Sequence, residues 1–376
     1  MNDAALPPLE LPSGLRVALV HDWLNGMRGG ERVLEHFCAL FPQAHLHTLL
    51  YEPSRIDPTI RRLETFESPF ARLPGARKHY RYYLPAMPAF VAKLPTADYD
   101  LVISTSHCVA KAAPRPRRGL HLSYIFSPMR YVWDHFEDYL SGNWWKDGAL
   151  RALRPFLQRW DRSSCKQVDS FAADSEHIAR KVKSFWGREA QAILPPVQLE
   201  RFSPAVGPPE DFFLVVSALV PYKKIDRAIE AARLAKVKLV VVGDGPERRR
   251  LQALAPKNVE FAGRVSDADL PEYYRRARAL LYPATEDYGI TAIEAQACGR
   301  PVLAFRHGGV TETVIDGETG AFFDQPDARG LAKLLKAHDD NRYDPVRIRQ
   351  HAERFSPLRF RAELIEWINR TSRFAW

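Results

Sequence analysis

Two carboxylates and a glycine set the first question. In TEDYGITAIEAQACGRPV (285–302), Glu286 and Glu294 stand eight positions apart, with Tyr288-Gly289 between them. The preceding run ALLYPA reads as a strand and ITAIEAQAC as a helix, so Glu286 falls just past a strand end and Glu294 about one turn inside a helix. Gly289 permits a tight path into that helix. The first N–H groups of the helix, near Gly289 and Ile290, have no internal acceptor and favour an anion. A diphosphate flanked by two hydroxyl-rich sugars would use every part: N–H groups for phosphate oxygens, one carboxylate for each sugar. Thr291 to Glu294 also fits the capping box S/T-x-x-E, which would make Glu294 structural. Both readings stand on the residues alone.

The elements that must position these groups follow from the pattern of apolar runs. RVALVHDW (16–23), DLVISTS (100–106), HLSYIF (121–126) and SFAADS (170–175) read as buried strands. Helical patterns such as GERVLEHFCALF and HIARKVKSFWG, the latter closed by Gly187, lie between them. A proline-rich stretch at 193–210 reads as a linker. A second series follows, with strands in FFLVVSAL, VKLVVVG, NVEFAGRV, ALLYPA and PVLAF and helices DRAIEAARLA, ERRRLQALA and DADLPEYYRRARA, the last with an N-cap expected near Ser266. The fold class is α/β, two Rossmann-like domains with parallel sheets and a cleft between them.

Length and composition agree. The 376 residues suit two domains, and 46% hydrophobic with 26% charged residues is a globular balance. No run approaches the ~20 apolar residues of a membrane span, and the N-terminus shows no signal-peptide pattern. Four scattered cysteines (Cys38, Cys108, Cys165, Cys298) without a C-x-x-C argue against a zinc site or disulfide framework and fit a cytoplasmic setting. The net charge of +9 allows nucleic acid, anionic lipid or phosphorylated substrates as partners. No zinc finger, RNP signature or long basic block supports nucleic acid.

Further motifs narrow the chemistry. VSALVPYKKIDRAIEAA (216–232) places Lys223 after a strand, where an ammonium would meet a diphosphate; the alternative is a solvated lysine pair. VVVGDGPERRRL (240–251) lacks the third glycine of a dinucleotide fingerprint, and Gly243 and Gly245 read as a turn. VHDWLNGMRGGERVLE (20–35) sets Gly29-Gly30 between a strand and a helix, with Asp22 just after the strand. STSHCVAK (104–111) carries His107, and SYIFSPMRYVWD (123–134) carries Arg130, Tyr131 and Trp133. The segment 72–95 mixes basic residues with aromatics and prolines, as a surface helix pair or a membrane-facing segment would.

The stretch from Gly263 to Phe323 closely resembles the nucleotide-sugar half of retaining glycosyltransferases of the GT-B fold, family GT4. Its E-x7-E is Glu286 to Glu294, its G-x-P-V strand entry is Gly299 to Val302, and its G-G-x-x-E loop begins at Gly308-Gly309 and reaches Glu312. Lys223 and Asp226 match the family's K-x-x-D. The resemblance implies that Glu286 contacts the donor sugar, that Glu294 contacts the ribose, and that Lys223 and the Gly29-Gly30 segment face the diphosphate from opposite walls. The motifs around His107 and Arg130 resemble a subgroup, including mannosyltransferases, that builds bacterial surface polysaccharides. Asp22 and Arg130 are then candidates for the acceptor side, and His107 for the reacting centre. Two positions depart: Phe126 stands where histidine is common, and Ala218 where arginine is common.

The resemblance implies hexose transfer from a nucleoside diphosphate sugar to a lipid-linked glycan, without a bound metal or other cofactor, by a protein peripheral to the inner face of the cytoplasmic membrane. It implies an acceptor-side domain over 1–195, a donor-side domain over 196–355 and a helix over 356–376 returning to the first domain. A non-catalytic nucleotide-sugar-binding subunit and a sugar-nucleotide epimerase are the alternatives.

Overall fold

The computed structural model describes residues 6–134, 136–139, 143–204 and 207–373, with the backbone alone for residues 138, 139 and 146. Residues 1–5 of the expected first domain, 205–206 of the proline-rich stretch and 374–376 of the expected terminal helix lie outside the described residues. The chain divides into two units, Met1–Leu194 with Phe360–Trp376, and Pro195–Arg359.

In the first unit, β1 (Val17–His21), β2 (His45–Thr48), β3 (Thr65–Glu67), β4 (Leu101–Ser106), β5 (Leu120–Ile125), β6 (Ser170–Ala173) and β7 (Ala190–Ala192) form one sheet. The order is β3-β2-β1-β4-β5-β6-β7 and every pairing is parallel. β4 and β5 are buried at every residue, which is why they read as continuous runs rather than alternating ones. Helix α1 (Gly29–Leu40) covers one face with Val33, Leu34 and Phe37. The C-terminal helix (Pro357–Ser372) adds Phe360, Leu364, Trp367 and Ile368 to that same core, so it returns to the first unit as expected. Helices α2 (Trp144–Ser164) and α3 (Glu176–Trp186) complete the unit. Ser175 caps α3 by accepting the Ile178 N–H at 3.1 Å, and Gly187 ends it at φ +69°.

The basic segment 72–95 folds as short turns whose apolar side chains serve the core. Tyr80, Leu84, Met87, Val91 and Leu94 are buried with Trp23, Leu49 and Val102. Of its tyrosines and phenylalanine, Tyr82 is the one exposed to solvent.

The second unit holds β8 (Phe213–Val216), β9 (Leu239–Val242), β10 (Val259–Gly263), β11 (Leu280–Tyr282), β12 (Val302–Phe305) and β13 (Gly320–Phe323). They form a parallel sheet in the order β10-β9-β8-β11-β12-β13. Helices α4 (Ile225–Ala235), α5 (Leu270–Arg276) and α6 (Ile290–Ala297) are the ones that bear on the site. The cap expected at Ser266 closes a turn instead: its hydroxyl accepts the Asp269 N–H at 3.1 Å, and α5 begins only at Leu270. The stretch read as a linker is fixed to this unit from Pro195 onward. Val197 donates its N–H to Phe355 O at 2.9 Å, the Tyr288 hydroxyl donates to Pro195 O at 2.6 Å, and Arg349 binds the carbonyls of Leu199 and Phe202.

Both sheets share one topological feature. Strand order reverses between β1 and β4 in the first unit and between β8 and β11 in the second. In open parallel sheets, the loops leaving such a reversal diverge above and below the sheet and leave a crevice at the strands' carboxyl ends. Asp22 and His107 follow β1 and β4; Lys223 and Glu286 follow β8 and β11.

Candidate active site

In the second unit the chain leaves β11 at Tyr282 and enters α6 at Ile290. Gly289 sits at φ +93°, and a Cβ there would stand 2.6 Å from the Tyr282 hydroxyl oxygen, so the elbow requires glycine. Gly289 is itself the N-cap and no side chain caps the helix. The early N–H groups, those of Ile290 and Thr291, therefore have no intrahelical acceptor and carry the positive end of the helix dipole. The capping-box reading fails on the same geometry. Thr291 lies inside α6, one residue past its start, so Glu294 has no box to close. Its carboxylate instead accepts the Tyr274 hydroxyl from α5 at 2.7 Å. Burial pushes the Glu294 carboxyl up to about 7, against the Tyr274 hydrogen bond and the nearby Arg201. Burial likewise pushes the Tyr274 hydroxyl well above its usual range, with the Glu294 carboxylate adding to the effect.

Lys223 closes a 3-10 turn (Pro221–Lys223) between β8 and α4, and its ammonium pairs with the Glu286 carboxylate. Both side chains are largely sheltered, 17% and 21% exposed. Each partner is held by backbone packed at distances only glycine allows. On the Lys223 side, a Cβ at Gly243 would lie 1.8 Å from Ser217 O and one at Gly245 2.4 Å from Leu219 O. The GDG turn is thus a brace for the lysine loop, cross-linked by the Leu219 N–H to Asp244 O bond of 3.0 Å. On the Glu286 side, Gly309 donates its N–H to Glu286 O at 2.9 Å. A Cβ at Gly308 would lie 2.3 Å from that oxygen, and one at Gly309 2.2 Å from Asp287 O. The glycine pair of the G-G-x-x-E motif seats the loop that presents Glu286.

In the first unit, Asp22 is fully buried and its carboxylate is occupied. Oδ2 accepts the N–H groups of His107 (2.7 Å) and Cys108 (3.0 Å), and Oδ1 those of Val109 (2.6 Å) and Ala110 (2.7 Å). The expectation that Asp22 itself meets a sugar is corrected accordingly: it fixes the turn after β4 and, through Oδ2, the His107 ring, whose Nδ1 lies 3.1 Å away. The His107 ring keeps some exposure and stands edge-on to Trp23 at 4.5 Å. Burial holds its imidazole below the usual range, against Asp22 and with Arg130 and Arg28. Arg130 thus lies within electrostatic reach of His107; its Nε donates to Ser127 Oγ at 3.2 Å.

Gly29 and Gly30 are not loop residues but the first turn of α1. The Arg28 N–H just before them is taken by the Glu31 carboxylate at 3.0 Å, while the first turn offers N–H groups without helical acceptors. Gly30 faces Phe126: a Cβ would meet the ring edge at 3.3 Å. Phe126 is itself 9% exposed and packs on Tyr124 at 5.4 Å. Of the expected site residues, Lys223 meets Glu286 and Asp22 meets His107. Glu294 and the Gly289–Ile290 elbow belong to the same helix end, and the Gly29-Gly30 turn lies against Phe126.

One buried network has no signal in the residue spacing. Lys111, at the end of the His107 motif, sets its ammonium 2.8 Å from Asp161 Oδ1 on α2, and both side chains are buried. Asp161 Oδ2 accepts the indole N–H groups of Trp133 (2.8 Å) and Trp186 (2.7 Å), and the ammonium lies over the Trp186 ring at 4.6 Å. The two motifs that resembled a polysaccharide subgroup are thereby tied to each other and to α3. Removing one partner of such a pair strands a buried charge. Asp161→Ala is expected to destabilise the chain by about 3–5 kcal/mol in denaturant titrations, and Lys111→Met combined with Asp161→Leu to recover most of the loss; an Asp161→Ala midpoint equal to wild type contradicts the assignment.

Glu294 yields a second prediction. Its folded carboxyl titrates at about 7 against an ordinary 4.5, so the folded chain binds the extra proton between those values. Its contribution to stability therefore falls as pH rises through that window. Glu294→Gln keeps an acceptor for Tyr274 and removes this downward contribution, so between pH about 4.5 and about 7 its unfolding midpoints should rise more steeply, or fall less, than those of wild type. Glu31, raised to about 7 by burial, acts in the same sense as Glu294, while His21, His36, His47 and His121, lowered by burial, act in the opposite one in wild type and variant alike. A slope unchanged by the substitution contradicts the buried-carboxylate assignment.

Comparison with known proteins agrees with these elements. Residues 197–355 match the family model for glycosyl transferases group 1. Over 138 residues the chain is 35% identical to a GDP-mannose-dependent alpha-(1-6)-phosphatidylinositol monomannoside mannosyltransferase of Mycolicibacterium smegmatis, covering 32% of this chain and 36% of that one. Over 206 residues it is 34% identical to a D-inositol 3-phosphate glycosyltransferase of Acidothermus cellulolyticus, covering 45% and 46%. The matched region thus spans half or less of these curated relatives. Among solved structures, Anabaena HepE in complex with UDP superimposes with a TM-score of 0.69 at 15% identity, over 95% of this chain and 100% of that one. The lipopolysaccharide outer core galactosyltransferase WaaB does so with 0.65 at 16%, over 93% and 98%. At such identities the likeness speaks for the fold. The chain has the GT-B fold, and its residues 197–355, which carry Lys223 and both glutamates, match the glycosyl transferases group 1 family.

Proposed function

We propose that the chain is a retaining glycosyltransferase that moves a hexose, mannose in our reading, from a nucleoside diphosphate donor to a hydroxyl of a lipid-linked glycan. The work would be done at the inner face of the cytoplasmic membrane, in surface polysaccharide assembly, and without a metal ion. The observation that carries the reading is the Lys223–Glu286 pair at a sheet reversal that also bears an uncapped helix start. The glycosyl transferases group 1 match and the mannosyltransferase relative support the donor class.

In this reading the diphosphate draws the Lys223 ammonium away from Glu286 and takes the N–H groups of Ile290 and Thr291. Glu286, released, accepts bonds from hydroxyls of the transferred sugar. Glu294 accepts the ribose hydroxyls, and in doing so is held as the carboxylate. The bond between the anomeric carbon and the diphosphate oxygen breaks with its electron pair going to the diphosphate. The acceptor oxygen bonds to the same face of that carbon, and its proton passes to the departing diphosphate. His107, kept neutral by burial and oriented by Asp22 at Nδ1, offers Nε2 to a sugar hydroxyl. A helix start contributes about 0.3–1 kcal/mol, up to ~2 when partly buried, and a hydrogen bond to a charged group about 1.5–3. Stabilising the leaving group therefore requires several of these groups together.

A second reading, a nucleotide-sugar-binding subunit without turnover, is favoured by Phe126, whose ring fills the space beside Gly30 where the resemblance expects histidine. The experiment separates the two. A thermal-shift panel of UDP, GDP and ADP sugars identifies the donor, which is then incubated with lipid-linked acceptors. Glycan product with retained stereochemistry supports transfer; tight donor binding with no product under any acceptor supports the second reading. Lys223→Ala should lower turnover at least about tenfold, and Glu294→Ala should raise the donor Kd. Near-wild-type values for both contradict the site assignment.

A further inference from the structure

Helix α2 departs from the usual arrangement of a surface helix. Its inner side buries Asp147, Asp161 and Ser164 beside Leu157, with Leu153 and Trp160 packed on the same core. Its outer side carries Trp144 and Trp145, each 69% exposed, and Phe156, 60% exposed. Trp145, Ala149, Ala152 and Phe156 recur at i, i+4, i+7 and i+11, one stripe along about 16 Å of helix, and all four are exposed. The Trp144 and Trp145 rings stack at 3.7 Å. Arg151 and Arg159 flank the stripe, also exposed.

The charges sort by side. Both carboxylates of α2 are turned inward, and Asp161 is committed to Lys111 and two indoles. Among the described side chains of α2, the outer side presents aromatic and guanidinium groups and no carboxylate. One neighbouring carboxylate, Glu137, comes within 3.9 Å of Arg151 from the preceding turn. Large aromatics left in water are unfavourable, and the inner face of the helix is already satisfied by its own partners. Tryptophan beside arginine suits the headgroup level of a bilayer, where the rings leave water and the guanidinium groups meet phosphates. The net charge of +9 has the same sign. The segment 72–95, by contrast, buries most of its apolar side chains.

We propose that the outer side of α2 docks on an anionic lipid surface, with Trp145 and Phe156 entering the headgroup layer and Arg151 and Arg159 pairing with lipid phosphates. The inference rests for its purpose on the reading of the chain as acting on a lipid-linked acceptor. Vesicle binding needs neither donor nor acceptor, so the two fail separately.

The test is flotation of the full chain with phosphatidylcholine vesicles that contain or lack phosphatidylglycerol. Wild type is expected to bind the anionic vesicles at least about tenfold more tightly than the neutral ones. Trp145→Ser with Phe156→Ser, and separately Arg151→Glu with Arg159→Glu, should each lose at least about tenfold of that binding while keeping the wild-type melting temperature. Brominated lipids in the anionic vesicles should quench the tryptophan emission of wild type, which checks the face without any substitution. Absence of wild-type binding, quenching that does not occur, or variants that bind as wild type does would each overturn the proposal. So would tryptophan emission that responds to a soluble glycan and not to vesicles.

Discussion

The candidate site depends on backbone meeting backbone closer than any side chain would permit. Gly308 and Gly309 lie against the main chain of Glu286 and Asp287, and Gly243 and Gly245 against that of Ser217 and Leu219. A methyl group at any of these four positions would collide with a carbonyl oxygen at 1.8 to 2.4 Å. The consequence is that two loops leaving neighbouring strands are fixed from outside, and a lysine and a glutamate are brought into contact at their tips. The pair is thus set by main-chain packing. Gly289 works differently: its positive φ and the Tyr282 hydroxyl against it set the turn into α6, whose start it leaves open.

The first unit fixes its site by buried charge instead. A single carboxylate, Asp22, collects four N–H groups from the turn after β4 and orients His107. A deeper pair, Lys111 with Asp161, ties that turn to α2 and α3 through two indoles. Buried charges of this kind are costly to desolvate and tolerable only when fully satisfied. Their value lies in allowing one arrangement of the turn rather than many. The same network accounts for why Asp161 points inward from a helix whose aromatics point out.

Much of this was legible in the residues. Strands buried on both faces, such as LVISTS and FLVV, read as continuous apolar runs, and their alternation with helices identified the parallel sheets. Glu286, Gly289 and Lys223 were legible because each combines a residue type with a place just past a strand. Short strands at or next to the sheet edges were not: β2 is HLHT, β3 is TFE and β7 is AQA, none with an apolar run. Helix α2 escaped because Gly148 and Pro155 lie inside it and because Trp144, Trp145 and Phe156 face outward while Asp147 and Asp161 face inward. Asp22 was read as a ligand group because its location after a strand is visible, while its partners, some 85 residues away, are not. Lys111 and Asp161, fifty residues apart, carry no local signal at all.

The account stands or falls on where a nucleoside diphosphate binds. A crystal structure of the chain with such a ligand should show its phosphates on the N–H groups of Ile290 and Thr291 and on Nζ of Lys223. The Lys223–Glu286 contact should be open and the ribose should lie on Glu294. A ligand bound away from these groups, with the Lys223–Glu286 pair intact, would contradict it.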